Sequence, residues 1–157
     1  VLLIRRAQAL MEAAGDDGDF DALCQQLHRY QATLRTCFTL ENFDNLIKNG
    51  RMRPIVGTLL RSLGIHIIAD ATAEGTIHVA DKARGVGKTY RAITALMKAS
   101  KDCTDAEVVI SHCENLEGAM ALKRQILADL PVKQVDLLSC RGLTSFYAME
   151  KGLIVGY

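Results

Sequence analysis

Glu107-Val-Val-Ile-Ser-His-Cys-Glu-Asn-Leu-Glu-Gly-Ala-Met-Ala-Leu-Lys-Arg-Gln-Ile-Leu-Ala-Asp-Leu-Pro-Val-Lys-Gln-Val-Asp-Leu-Leu138 decides the fold. Val108-Val109-Ile110 is a continuous apolar run, the mark of a strand covered on both faces. Asn115 is a cap residue, and the apolar positions after it predict a helix through Leu130, closed by Pro131. A second apolar run, Val132–Leu138, reads as the next strand. Strand, helix and strand at this spacing form a βαβ unit with a parallel pair.

The same reading extends towards the N-terminus. Val1–Ala14 repeats apolar residues at helical spacing, and Gly15-Asp-Asp-Gly-Asp19 ends it and supplies Asp19 as the next cap. A second helix carries Phe20, Leu23, Leu27, Tyr30 and Leu34. Thr36–Thr39 is a short strand, and Thr39 is read as the cap of a short helix stopping at Asn49-Gly50. Pro54 opens another helix, closed by Gly64. Ile65–Ala69 and Thr76–Ala80 flank Glu74-Gly75 as a hairpin, a helix runs from about Lys88 to Ala99, and Leu153–Tyr157 is a last strand. A hairpin and a crossover in one chain predict a layered α/β domain: a mixed β-sheet flanked by helices.

Length and composition fit one such domain. The chain has 157 residues, 49% hydrophobic and 24% charged, as in ordinary globular proteins. Nineteen basic against eighteen acidic residues leave a net charge of +1, which argues against nucleic acid as partner. Aromatics make up 5% with no Trp, too few for base stacking. No apolar run approaches the roughly 18 residues of a membrane span. Five scattered cysteines without a CxxC pair read as reduced thiols in a cytoplasmic protein. Cys24 with His28, and His112 with Cys113, are candidate metal ligands by spacing, but structural zinc needs a second pair that the sequence does not supply. No metal or cofactor is expected. The chain opens at Val1 with VLLIRR, apolar before basic, and reads as a piece of a longer protein.

Three stretches bear on chemistry. Arg84-Gly-Val-Gly-Lys-Thr89 is similar to a phosphate-binding loop, with Lys82 where its first glycine belongs. A phosphate- or nucleotide-binding module is therefore one alternative reading. Arg51 and Arg53 enter a helix at its electropositive start, which calls for a carboxylate of the protein or an anionic ligand nearby. His112 and Cys113 end the buried strand where ligand crevices form, yet neighbours on a strand point to opposite faces and cannot act as a dyad. No catalytic grouping is visible.

Several stretches together resemble the C-terminal domain of the DegV family. They are Leu40-Glu-Asn-Phe-Asp-Asn-Leu-Ile-Lys-Asn-Gly-Arg-Met52, Gly57-Thr-Leu-Leu-Arg-Ser-Leu-Gly-Ile-His-Ile-Ile68, Lys82-Ala-Arg-Gly85 and Val108-Val-Ile-Ser-His-Cys-Glu-Asn-Leu-Glu-Gly-Ala119. Their order and spacing hold from roughly Phe20 to Leu138. The resemblance implies that residues 1–157 are a DegV-like C-terminal domain whose N-terminal partner domain is absent. It implies binding of a long-chain fatty acid between the two domains, without catalysis, and presentation of the carboxylate to a fatty acid kinase. On this basis Phe38, Leu60, Leu63, Ile65 and Ile67 are candidates for an acyl tunnel, and Arg51 and Arg84 for its polar mouth. The family commonly ends with His-Thr-Gly-Pro-Gly, whereas Leu143–Leu153 lacks it and places Phe146 or Tyr147 near the His position. The chain alone is expected to fold but to bind fatty acid poorly, and an apolar face bared by the absent domain offers a surface for a homodimer. A ligand-free regulatory interaction domain is the other alternative, for which a solid core without an acyl-sized cavity would speak.

Overall fold

The computed structural model describes residues 1–15, 18–52, 64–72 and 74–157. The helix expected from Pro54, and with it Leu60 and Leu63, lies outside the described residues. Along the chain come α1 (Leu2–Ala14), α2 (Phe20–Thr33), β1 (Thr36–Leu40), α3 (Asp44–Lys48), β2 (Ile65–Ala71) and β3 (Ile77–Arg84). They are followed by α4 (Val86–Ser100), β4 (Glu107–His112), α5 (Leu116–Asp129), β5 (Gln134–Ser139), α6 (Leu143–Ala148) and β6 (Leu153–Gly156).

The strands form one sheet in the order β3-β2-β1-β6-β4-β5. β4 and β5 are parallel, joined through α5, and the other neighbours are antiparallel. The sheet is thus mixed, as the hairpin and crossover require. β6 inserts between β1 and β4, pairing Cys37 with Val155 and Ile110 with Val155, so the last strand sits mid-sheet.

Alternation along the strands divides the core. Cys37, Ile68, Val108, Ile110, Val135 and Val155 face α4 and α5, where Ile93, Met97, Leu122 and Ile126 are fully buried. Thr94 Oγ1 donates to Asp129 Oδ2 at 2.7 Å between the two helices. Leu40, Ile67 and Ala69 face the other way, towards Phe43, Leu46 and Ala148. The α1–α2 hairpin lies beside the β4–β5 end, tied by an Arg5–Asp136 ion pair.

Local chemistry accounts for most boundaries. Asp19 Oδ1 accepts from the amides of Asp21 and Ala22, and Asn115 Oδ1 from that of Gly118. Thr39 differs from expectation: it belongs to β1, its side chain is buried, and Asn42 Oδ1 instead accepts from the Asp44 amide before α3. β3 extends to Arg84 and α4 begins at Val86, because pairing with Ile65–Ala71 carries the strand beyond its apolar residues.

Candidate functional site: an apolar cavity on the α3–α6 face

The Phe38–Leu40 side of β1 and Ile154 of β6 form the floor of a cavity of about 460 Å³. Leu46 from α3, Leu143, Tyr147 and Ala148 around α6, and Gly75–Ile77 of the hairpin form its walls. This volume lies in the range of small-molecule sites. Among the described lining residues, Arg51 is the single charged one.

The sequence sets Arg51 at that rim through a helix-ending turn. α3 closes in a Schellman arrangement: Gly50 N–H donates to Ile47 O at 3.0 Å and Arg51 N–H to Leu46 O at 2.8 Å. Gly50 has φ +67°, a conformation that glycine adopts without the Cβ clash other residues meet. On the opposite wall, Asn45 Nδ2 donates to Phe146 O at 2.6 Å and couples α3 to α6. Behind α6 the chain passes so close to itself that a Cβ on Gly152 would clash with Ala148 O.

The structure brings Phe38 and Arg51 together at this cavity. Ile65 and Ile67 belong to the apolar cluster beneath it, Ile67 fully buried. Arg84 is exposed at the end of β3, opposite Ile65, and outside the lining. Of Phe146 and Tyr147, Tyr147 lines the cavity, while Phe146 is 46% exposed and packs edge-on against it. The sequence reading missed α6 and with it Leu143 and Ala148. Ala148 is an unremarkable residue in sequence, and its place emerges only from the β6 insertion.

A smaller crevice of about 270 Å³ lies on the other sheet face, where α4 and α5 begin. Its lining mixes Glu41, Glu117, Lys151 and His66 with Thr39 and Tyr90. Burial, with Glu41 and Glu117 nearby, pushes the Tyr90 hydroxyl above its ordinary pKa. The Thr39 hydroxyl is buried and finds no partner among the described residues. Leu40, Val86, Ala121 and Leu153 add apolar surface, but the ionisable side chains around this smaller space suit an alkyl chain less well than the cavity on the other face.

The phosphate-loop alternative meets a specific obstacle. Thr89 is buried and its hydroxyl donates to Gly85 O at 3.1 Å, so it is turned away from any phosphate-bound cation. His112 and Cys113 diverge as strand geometry demands. His112 Nδ1 accepts from Asn115 N–H at 3.4 Å, while Cys113 packs in the cavity-side cluster. Among the described residues no three His, Cys, Asp or Glu side chains converge as metal ligands. No helix among them is long and apolar enough to cross a membrane.

A family profile described as "Uncharacterised protein, DegV family" matches residues 3–153. A DegV domain-containing protein of Streptococcus gordonii is 31% identical over 151 residues, covering 96% of this chain and 53% of its own length. Among solved structures, a DegV family protein of Eubacterium eligens loaded with heptadecanoic acid superposes with a TM-score of 0.89 at 25% identity. It covers 99% of this chain and 55% of its own. The Streptococcus pneumoniae fatty acid kinase B3 protein loaded with linoleic acid superposes with a TM-score of 0.88 at 30% identity, covering 99% and 54%. The chain therefore spans about half the length of the relatives it matches.

Proposed function

Since this chain belongs to the DegV family, we propose that its apolar cavity holds the alkyl chain of a long-chain fatty acid. The observation that carries this reading is the cavity itself: about 460 Å³, floored by Phe38, Leu40 and Ile154, with Arg51 at its rim. Each methylene moved from water into such a lining contributes about 0.8 kcal/mol, so ten contribute about 8 kcal/mol before the costs of immobilisation. The same cavity counts against the ligand-free alternative, for which a solid core without an acyl-sized cavity would speak.

A carboxylate left unpaired at the mouth would cost several kcal/mol. Arg51 offers charge-assisted donors there and Tyr147 a hydroxyl; Tyr147 is one of the two residues, with Phe146, that fall near the His of the family pattern. Further donors come, on this reading, from the other half of a longer protein in which residues 1–157 form the C-terminal domain. The protein binds and does not catalyse. It works in the cytoplasm and presents the carboxylate to a fatty acid kinase partner. The fatty-acid-loaded relatives support this assignment.

The test is mass spectrometry of organic extracts, comparing residues 1–157 with the longer protein after identical purification. A stoichiometric fatty acid in the longer protein, and less in the chain alone, is expected. No fatty acid in either, where a known fatty-acid binder retains its own, would refute the proposal.

A further inference from the structure

Two cysteines that the binding reading does not use sit side by side at the end of the parallel pair. The last β4–β5 ladder partners are His112 and Ser139, and the next residue of each strand is a cysteine. The ladder continues one step further, with Cys140 N–H donating to His112 O at 2.8 Å. Alternation turns Cys113 and Cys140 to the same face, and both pack in the apolar cluster beside the cavity. Both are half-buried, whereas Cys37 and Cys103 are buried. Neighbouring strands run about 4.8 Å apart. That places the two Cα atoms inside the roughly 4.4–6.8 Å window of disulfides. Parallel neighbours hold their Cβ atoms near the same spacing, slightly beyond the usual 3.5–4.5 Å, so a bridge forms with mild strain and is readily reduced.

We infer that Cys113 and Cys140 are a reversible oxidation site that restrains α6. The oxidant is a peroxide. One thiolate attacks a peroxide oxygen, giving a sulfenic acid and, after proton uptake, one water. The second thiol attacks that sulfur, the S–S bond forms, and the hydroxyl leaves with the thiol proton as a second water. Two cysteines thus lose two electrons and two protons to one hydrogen peroxide. A dithiol reductant reverses the step.

The backbone shows why α6 responds. Cys140 precedes Leu143, the first residue of α6, by three positions. Cys113 holds the segment that follows α6: Lys151 N–H donates to Cys113 O at 2.8 Å, and Cys113 N–H donates to Gly152 O at 3.0 Å. A bridge therefore links the two anchors of the 141–150 segment, whose Leu143, Tyr147 and Ala148 line the cavity. The inference needs no bound lipid and stands apart from the fatty-acid reading.

The test exposes the chain to hydrogen peroxide, blocks remaining thiols with N-ethylmaleimide and maps tryptic peptides by mass spectrometry. The expected product joins Asp102–Lys123 to Gln134–Arg141 with loss of two hydrogens, and dithiothreitol reverses it. It is absent from both Cys113→Ser and Cys140→Ser and persists in Cys103→Ser, which shares the first peptide. Amide exchange over residues 143–148 is expected to slow at least threefold on oxidation of the wild type and not of Cys113→Ser. The inference is overturned if both thiols remain blockable at a peroxide concentration that oxidises half-buried Cys24. It is equally overturned if the bridge forms and exchange over 143–148 is unchanged.

Discussion

Ile67→Ala and Phe38→Ala separate residues that hold the sheet together from residues that meet a ligand. Ile67 is fully buried, paired with Leu40 across β1 and with Lys82 across β3, in the cluster beneath the cavity but not in its lining. Truncation removes three carbons and leaves a hole that flanking strands cannot collapse, a loss of about 3 kcal/mol. With a urea m-value of about 2 kcal/mol/M, the unfolding midpoint drops by about 1.5 M. Phe38 is half-buried on the cavity floor. Its truncation costs less stability, about 1–2 kcal/mol, because much of the ring already faces open space. It removes contact with about two methylenes of an alkyl chain, and fatty-acid affinity falls about tenfold. The assay is urea denaturation by circular dichroism, paired with fatty-acid titration of each folded variant. The reasoning fails if Ile67→Ala loses less than about 1 kcal/mol, or if Phe38→Ala leaves affinity unchanged.

Gly152→Ala forces a Cβ against Ala148 O, and since that neighbour is backbone, α6 must shift. A stability loss of about 1–3 kcal/mol is expected, read as a lowered melting temperature, with altered exchange at residues 143–148. Asn115→Ala removes both the α5 cap and the Nδ2 bond to Lys151 O, which should cost about 1–2 kcal/mol in the same denaturation assay. Tyr157 is buried and its hydroxyl bonds with that of Ser100 at 2.7 Å; burial pushes its pKa up to about 12. The unfolded phenol ionises near pH 10, so between about 10 and 12 the folded state holds the extra proton and stability falls as pH rises. Absorbance at 295 nm should show Tyr157 titrating last of the four tyrosines, and a midpoint near 10 for all four would contradict its burial.

Parts of the fold were legible because their signals are local. The β4–α5–β5 unit announces itself through Val108-Val109-Ile110, Asn115 and Pro131, and the hairpin through Glu74-Gly75. The α3 stop at Asn49-Gly50 needs only three residues. By contrast, α6 is flanked by Gly142 and Met149, both at positive φ, and has no side-chain cap, so its ends carry little sequence mark. Thr39 looked like a cap, but pairing of β1 with β2 and β6 on both sides outweighed that local preference. The candidate site was the least legible part. Its lining runs from Phe38 to Ile154, and the β6 insertion that unites these positions is a long-range event. Phe38, Ile65 and Ile67 were reached only through family resemblance and Arg51 also through its place before a helix start, while Ala148 and Leu143 carried no signal at all.

The most direct test of the central claim is photo-cross-linking with a long-chain fatty acid bearing a diazirine near its methyl end, followed by peptide mapping. The account predicts adducts on the segments holding Phe38, Ala148 and Ile154, suppressed by unlabelled fatty acid. Competed adducts confined to the crevice around Tyr90 and Ala121, or no competed adduct anywhere, would contradict it.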